Sequence, residues 1–157
     1  MSLGRDNPTN LTESKPLARI GILVVSDRAS QGLYDDKSGK AVNSFLGKVI
    51  RSNWIAIFKI IPDGAESVAN ALIELSDREG CDLVLTTGGT GPAPRDLTPE
   101  GTRMVIGREL FGFGELMRRV SLDHVPTAIL SRQIAGTRHH SLIVNLPGRP
   151  AAIDVCL

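Results

Sequence analysis

Apolar residues fall along this chain in two alternating rhythms. Arg19 to Ser26 (RIGILVVS) and Leu83 to Thr87 are nearly continuous apolar runs rich in β-branched residues. Such runs predict strands buried on both faces, as in a parallel sheet. Trp54 to Ile61 alternates and is β-rich, which predicts a further strand. Thr127 to Ser131 and Ser141 to Leu146 read as two more, joined through Gly136-Thr137-Arg138-His139-His140. Between the strands the apolar spacing changes to i, i+3, i+4, i+7. Val42, Phe45, Leu46, Val49 and Ile50 predict a helix from about Ser38 to Arg51. Val68, Ala71, Leu72 and Leu75 mark the buried face of the next, opened by Pro62-Asp63-Gly64-Ala65-Glu66 and closed before Gly80. A third is expected to start at Thr98 and to pack through Met104, Val105 and Leu110. Phe111-Gly112-Phe113-Gly114 reads as an interruption, followed by a helix from about Glu115 to Leu122 with Met117 as core filler. Ala151 to Leu157 looks like the first turns of a helix cut short.

Buried strands alternating with amphipathic helices argue for a three-layer α/β/α sandwich with a mostly parallel central sheet and right-handed crossovers. In such sheets the loops that follow the strands gather at one edge, where ligands bind. The polar loop Ser26 to Gly39, the Pro62-Asp63 turn and the loop Gly88 to Asp96 are therefore expected around one crevice.

The last of these carries the most chemistry. Thr87-Gly88-Gly89-Thr90-Gly91-Pro92-Ala93-Pro94-Arg95-Asp96-Leu97-Thr98-Pro99-Glu100 leaves a strand through bare backbone. It then enters a helix with Thr98 as expected N-cap and Pro99 at the first helical position. Glycine lets an anion approach backbone N–H groups, and the helix dipole favours negative charge there. No Lys follows the last glycine, so the P-loop lysine is absent.

Composition narrows the class of partner. The 157 residues fit one domain, read as a leader over 1–18 and a folded unit over 19–157. A formal net charge of +1 offers no electrostatic case for nucleic acid or a membrane surface. No apolar run reaches the 18 or so residues of a membrane span, and Met1 to Ala18 has no signal-peptide apolar core. Cys81 and Cys156 have no metal-ligand spacing and read as free thiols of a cytoplasmic protein. His124, His139 and His140 lack a triad- or metal-spaced partner and read as loop residues.

Three acidic positions, Asp36, Asp63 and Asp96, are expected near the glycine loop. Carboxylates repel phosphates unless a divalent cation lies between them, which suggests Mg²⁺. For Asp63 there is a simpler alternative. With Glu66 three residues on it has capping-box spacing, and a helix cap is worth about 1 kcal/mol.

Six short motifs, taken together and in order, then bring a family into view. They are Val25-Ser26-Asp27, Ile61-Pro62-Asp63, Thr87-Gly88-Gly89-Thr90-Gly91, Arg95 to Glu100, Leu130-Ser131-Arg132 and Asn145-Leu146-Pro147-Gly148. The set resembles the molybdopterin adenylyltransferases: the bacterial stand-alone MogA type and the equivalent domains of gephyrin. The resemblance extends from Arg19 to Leu157.

It implies a Mg²⁺-dependent reaction of molybdenum cofactor biosynthesis, in which ATP and molybdopterin give adenylyl-molybdopterin and pyrophosphate. It assigns Asp63 and Asp96 to catalysis and metal. Ser26, Asp36, Gly88, Gly89, Thr90, Gly91, Asn145, Pro147 and Gly148 fall to the nucleotide. Ser121, Ser131 and Arg132 fall to molybdopterin. A homotrimer and hand-over of product to a molybdenum-inserting enzyme are also implied. A relative that binds molybdopterin without adenylylating it (MoaB-like), or a scaffold like gephyrin, is the alternative. The retained Asp63 and Asp96 favour the enzyme.

Overall fold

The computed structural model describes residues 17–33 and 35–157. All but the last two residues of the expected leader lie outside this range, and Ala18 already belongs to the first strand. The strands are β1 (Ala18–Val25), β2 (Trp54–Ile61), β3 (Leu83–Thr87), β4 (Arg108–Glu109), β5 (Ala135–Arg138) and β6 (Ser141–Leu146). The helices are α1 (Asp27–Ser30), α2 (Ser38–Val49), α3 (Ala65–Ile73), α4 (Thr98–Arg103), α5 (Phe111–Leu122) and α6 (Pro150–Cys156). A wider π turn, Glu74–Arg78, continues α3, and a 3-10 turn spans Pro126–Leu130.

One six-stranded sheet runs β2-β1-β3-β6-β5-β4. Its first four strands are parallel, and β5 is antiparallel to both neighbours. The chain passes from β1 to β2 on one side and then returns to β3 on the other. The crevice between β1 and β3 is therefore the topological switch point, where α/β sheets leave room for a ligand.

Two cores cover the two faces. Val68, Ala71, Leu72 and Leu75 of the α3 segment pack with Val105 on Leu23, Val25, Val84 and Ile143. On the other face Val42 and Leu46 of α2, Met117 of α5 and Ile153 of α6 pack on Ile20, Ile22, Leu85, Val144 and Leu146. This is the expected three-layer arrangement. Both cysteines are free. Cys81 is fully buried, and burial pushes its thiol up to about 11.

Several local expectations are corrected. The strand expected over Thr127 to Ser131 is the 3-10 turn. Its Ile129 and Leu130 face outward, so the apolar run found no sheet partner. Its place in the sheet is taken by β5, which pairs with β6 through the tight His139-His140 turn, with His139 at φ 49°. The helix starting at Thr98 ends at Arg103, leaving Met104 exposed and a two-residue strand at Arg108–Glu109. Phe111 to Gly114 does not interrupt a helix; it forms the first turn of α5. The polar loop after β1 contains the short α1, capped by Ser26, whose side chain accepts from the Ala29 N–H at 3.3 Å.

Candidate functional site

The loop after β3 is built from its glycines outward. Gly88 and Gly89 sit at φ +99° and +65°, a region side chains avoid. A Cβ on Gly88 would come within 2.3 Å of the Val25 carbonyl oxygen, so the loop grazes the end of β1 across the switch point. Thr98 does not occupy the N-cap position, which falls to Leu97; it is the first residue of α4. Its hydroxyl donates to the Gly88 carbonyl at 2.8 Å, and its N–H donates to Gly89 O at 3.0 Å. Thr87 Oγ1 donates to Pro147 O at 2.7 Å, and Gly148 packs against Gly88, so the Pro-Gly turn after β6 backs the loop. Among the described residues, the backbone N–H groups of Gly88, Gly89, Thr90 and Gly91 donate to nothing in the protein. Successive free N–H groups through left-handed backbone form an anion-binding concavity.

That loop walls a cleft of about 680 Å³. Gly89, Thr90, Gly91 and Asp96 form one side, with Pro147, Gly148 and Arg149 at the turn. Ser121, His124, Ser131 and Gln133 supply polar groups at the other. Val125, Ala128, Leu130, Ala151, Ala152 and Val155, from the 3-10 turn, α6 and their surroundings, give it apolar walls. A phosphate-ready end and an apolar slot with neutral hydrogen-bonding groups suit a flat, phosphorylated molecule.

Asp63 stands outside the cleft wall, toward β1 and β2. It is not a helix cap: Gly64 takes the N-cap position of α3, with no side-chain cap bond. Asp63 and Asp27 grip each other instead. The Asp27 N–H donates to Asp63 Oδ2 at 3.2 Å, and the Asp63 N–H to Asp27 Oδ1 at 3.0 Å. Burial raises the Asp63 pKa, the Asp27 N–H bond opposes this, and the charges of Asp27 and Asp96 raise it while Arg95 lowers it; the net shift is upward. Asp96 accepts from the Ala93 N–H at 3.1 Å. Each of these three carboxylates keeps one oxygen free of hydrogen bonds among the described residues. They do not converge into a ready-made cage, since no group of three His, Cys, Asp or Glu among the described residues could hold a metal alone. They do form an under-compensated set of hard oxygen donors beside the free loop N–H groups. Mg²⁺ is held in that way, by one or two carboxylates together with phosphate and water.

The other expected site residues have partners within the protein. Asp36 caps α2: one carboxylate oxygen accepts from the Ser38 N–H, the Ser38 hydroxyl and the Gly39 N–H, all at 3.0 Å. Asn145 is wholly buried, and its amide nitrogen donates to Thr86 Oγ1 at 3.0 Å and Thr102 Oγ1 at 2.9 Å. It therefore ties the strand that feeds the loop to the helix that follows it, where the Thr102 hydroxyl donates to Thr98 O at 2.8 Å. Arg132 is not among the residues that line the cleft; its guanidinium is held by Gly91 O, Asp96 O and Glu100. Ser131 donates to Gln133 Oε1 at 2.6 Å, and Ser121 lies 3.4 Å from the Cys156 sulfur. Reading the sequence missed His124, Gln133 and Arg149 on the cleft wall, and Asp27 beside Asp63. Only Asp27 carried a local clue, as the acid that directly follows a strand in the same crevice.

The switch-point loop, the carboxylates near it and the cleft it walls define an α/β protein with a candidate site for a phosphorylated ligand. The chain belongs to the family described as "Probable molybdopterin binding domain", which matches residues 21–157. It is 53% identical over 138 residues to the molybdopterin adenylyltransferase of Helicobacter pylori, covering 88% of this chain and 78% of that protein. With the Escherichia coli molybdopterin adenylyltransferase it shares 50% identity over 139 residues, covering 88% and 71%. The crystal structure of the molybdopterin biosynthesis enzyme MoaB from Thermus thermophilus superimposes with a TM-score of 0.80 at 42% identity, covering 90% of this chain and 87% of that one.

Proposed function

We infer that this protein adenylylates molybdopterin in molybdenum cofactor biosynthesis, using ATP and releasing pyrophosphate. Four successive loop N–H groups without a partner among the described residues, three of them in residues that line the cleft together with Asp96, carry this reading. An oxygen of the molybdopterin phosphate forms a bond to the α-phosphorus of ATP, and the bond from that phosphorus to the bridging oxygen breaks, so pyrophosphate leaves. Both reactants are anions, so the protein's work is to hold them in line and to neutralise charge. Gly88 to Gly91 hold nucleotide phosphate. Ser121 and Ser131 bind molybdopterin in the slot. Asp63 and Asp96 would hold Mg²⁺, which when bound screens the phosphates from the carboxylates and stabilises the charge that develops on transfer. Ser26, Asp36 and Asn145 serve by fixing the elements around the cradle.

Mass spectrometry of the products tests this. Incubation with ATP, Mg²⁺ and molybdopterin is expected to yield adenylyl-molybdopterin; molybdopterin bound but returned unmodified would favour the non-adenylylating relative.

We place the protein in the cytoplasm, with its product passed to a molybdenum-inserting enzyme. Among the described residues no helix is long and apolar enough to cross a membrane. We also propose a homotrimer. Phe111 and Leu116 of α5 and Ile129 of the 3-10 turn are 69%, 61% and 69% exposed, and an apolar face of that kind is commonly covered by another copy. Light scattering is expected to give the mass of three chains; a monomer at working concentration would contradict it.

A further inference from the structure

Arg132 carries five guanidinium and side-chain N–H donors, and the structure commits four of them. Nε donates to Gly91 O at 2.9 Å. Nη2 donates to Asp96 O and, at 3.3 Å, to Glu100 Oε2, and Nη1 donates to Glu100 Oε1. The Arg132 backbone N–H takes Thr90 O at 2.8 Å. Three carbonyls of one loop are thus drawn toward one residue, and a carboxylate holds that residue's planar fork in place.

The consequence follows from peptide planarity. The N–H of a trans peptide points opposite to its C=O. Fixing the Thr90 carbonyl on Arg132 therefore also fixes the direction of the Gly91 N–H, in a segment that lines the cleft. Holding the Gly91 carbonyl costs no donor, because Pro92 has no N–H to misdirect.

We propose that Arg132 and Glu100 form a clamp that sets the glycine loop for phosphate, both acting as positioning residues and neither as a ligand of the substrate. This rests on the glycine loop being the phosphate cradle. It revises the expectation that Arg132 binds molybdopterin.

Glu100→Gln separates the two roles because they predict opposite signs. If Arg132 contacted substrate phosphate directly, neutralising Glu100 would free the guanidinium and remove a repelling charge, so anions would bind as well or better. If the pair is a clamp, the same change loosens the fork and anions bind more weakly. Calorimetric titration of inorganic pyrophosphate into the full-length protein, followed at constant ionic strength, reads this directly. We expect Glu100→Gln to weaken binding about fivefold or more, and Arg132→Lys, which keeps the charge but loses the fork, about tenfold. The double variant is expected to bind no worse than Arg132→Lys alone, since both changes break one unit. Molybdopterin affinity is expected to stay at the wild-type value in both single variants.

Glu100→Gln binding pyrophosphate as tightly as wild type, or more tightly, overturns the clamp. So does a lowered melting temperature with unchanged affinity, which is what an ion pair of purely structural use would give. Should Arg132→Lys fail to fold, Glu100→Gln still decides, because its side chain is 37% exposed and its replacement has the same shape. Wild type that binds no pyrophosphate overturns the cradle, and the clamp falls with it.

Discussion

Asp63→Asn is expected to lose turnover by about 10²- to 10³-fold, the usual cost of deleting one preorganised electrostatic group, while melting at the same temperature as wild type or higher. Asparagine has the shape of aspartate and keeps an oxygen to accept the Asp27 N–H, so the link between the ends of β1 and β2 survives. What it removes is the charge. Burial and the neighbouring carboxylates Asp27 and Asp96 raise the Asp63 pKa above its ordinary 3.8. A carboxyl with a raised native pKa binds more protons folded than unfolded in the window between the two values. Stability therefore falls as pH rises through that window, and above it the full penalty of the buried charge is present. At neutral pH the asparagine variant escapes that penalty, which is why it should not melt lower. In the metal-free protein the same sign predicts that the asparagine variant's advantage in melting temperature shrinks as pH falls and Asp63 takes up its proton. Turnover assays with Mg²⁺ and thermal melts across pH without it, on the two proteins, check both parts. A variant that keeps its activity but melts lower would mean that Asp63 is structural after all.

Gly88→Ala is the second large effect, and it strikes stability and binding together. A methyl there meets the Val25 carbonyl oxygen at 2.3 Å, and the backbone at φ +99° is one that alanine resists. Val25 cannot give way easily, because β1 is hydrogen-bonded between β2 and β3. Strain and overpacking of this kind cost about 3 kcal/mol together, or roughly 10 °C in melting temperature for a chain of this length. The loop that relieves the clash must move its N–H groups, so pyrophosphate binding should be lost in the protein that remains folded. Gly47→Ala is the control. Gly47 lies inside α2 with open space around it, and alanine there should leave binding intact and raise stability by about 0.5–1 kcal/mol. Calorimetry and thermal melts of the pair give both numbers.

Much of this arrangement was legible in the residue pattern because burial on both faces leaves continuous apolar runs. β1 and β3 announced themselves in that way, and β2, on the sheet edge, by its alternation. The glycine loop was legible for the opposite reason: clustered glycines and prolines mark a break between a strand and a helix, and the loop between β3 and α4 lies there. What was hidden depends on pairing between distant residues. β5 has only four residues, Ala-Gly-Thr-Arg, and exists because β6 lies beside it; no local apolar pattern marks it. Thr127 to Ser131 had the composition of a strand, yet the fold turned its apolar side chains outward. At the site, capping-box spacing made Asp63 look like a helix cap, but its carboxylate accepts from the Asp27 N–H rather than from α3, and its own N–H donates to Asp27 Oδ1. Arg132 and Glu100 lie 32 positions apart, so nothing local could join them.

Molybdopterin-dependent release of pyrophosphate from ATP is the measurement that bears most directly on the whole account. With the full-length protein, ATP and Mg²⁺ present, release is expected to begin only when molybdopterin is added, to yield one pyrophosphate for each molybdopterin consumed, and to stop when the metal is chelated. Well-folded wild-type protein that binds molybdopterin yet releases no pyrophosphate, or releases it at the same rate without molybdopterin, would contradict it.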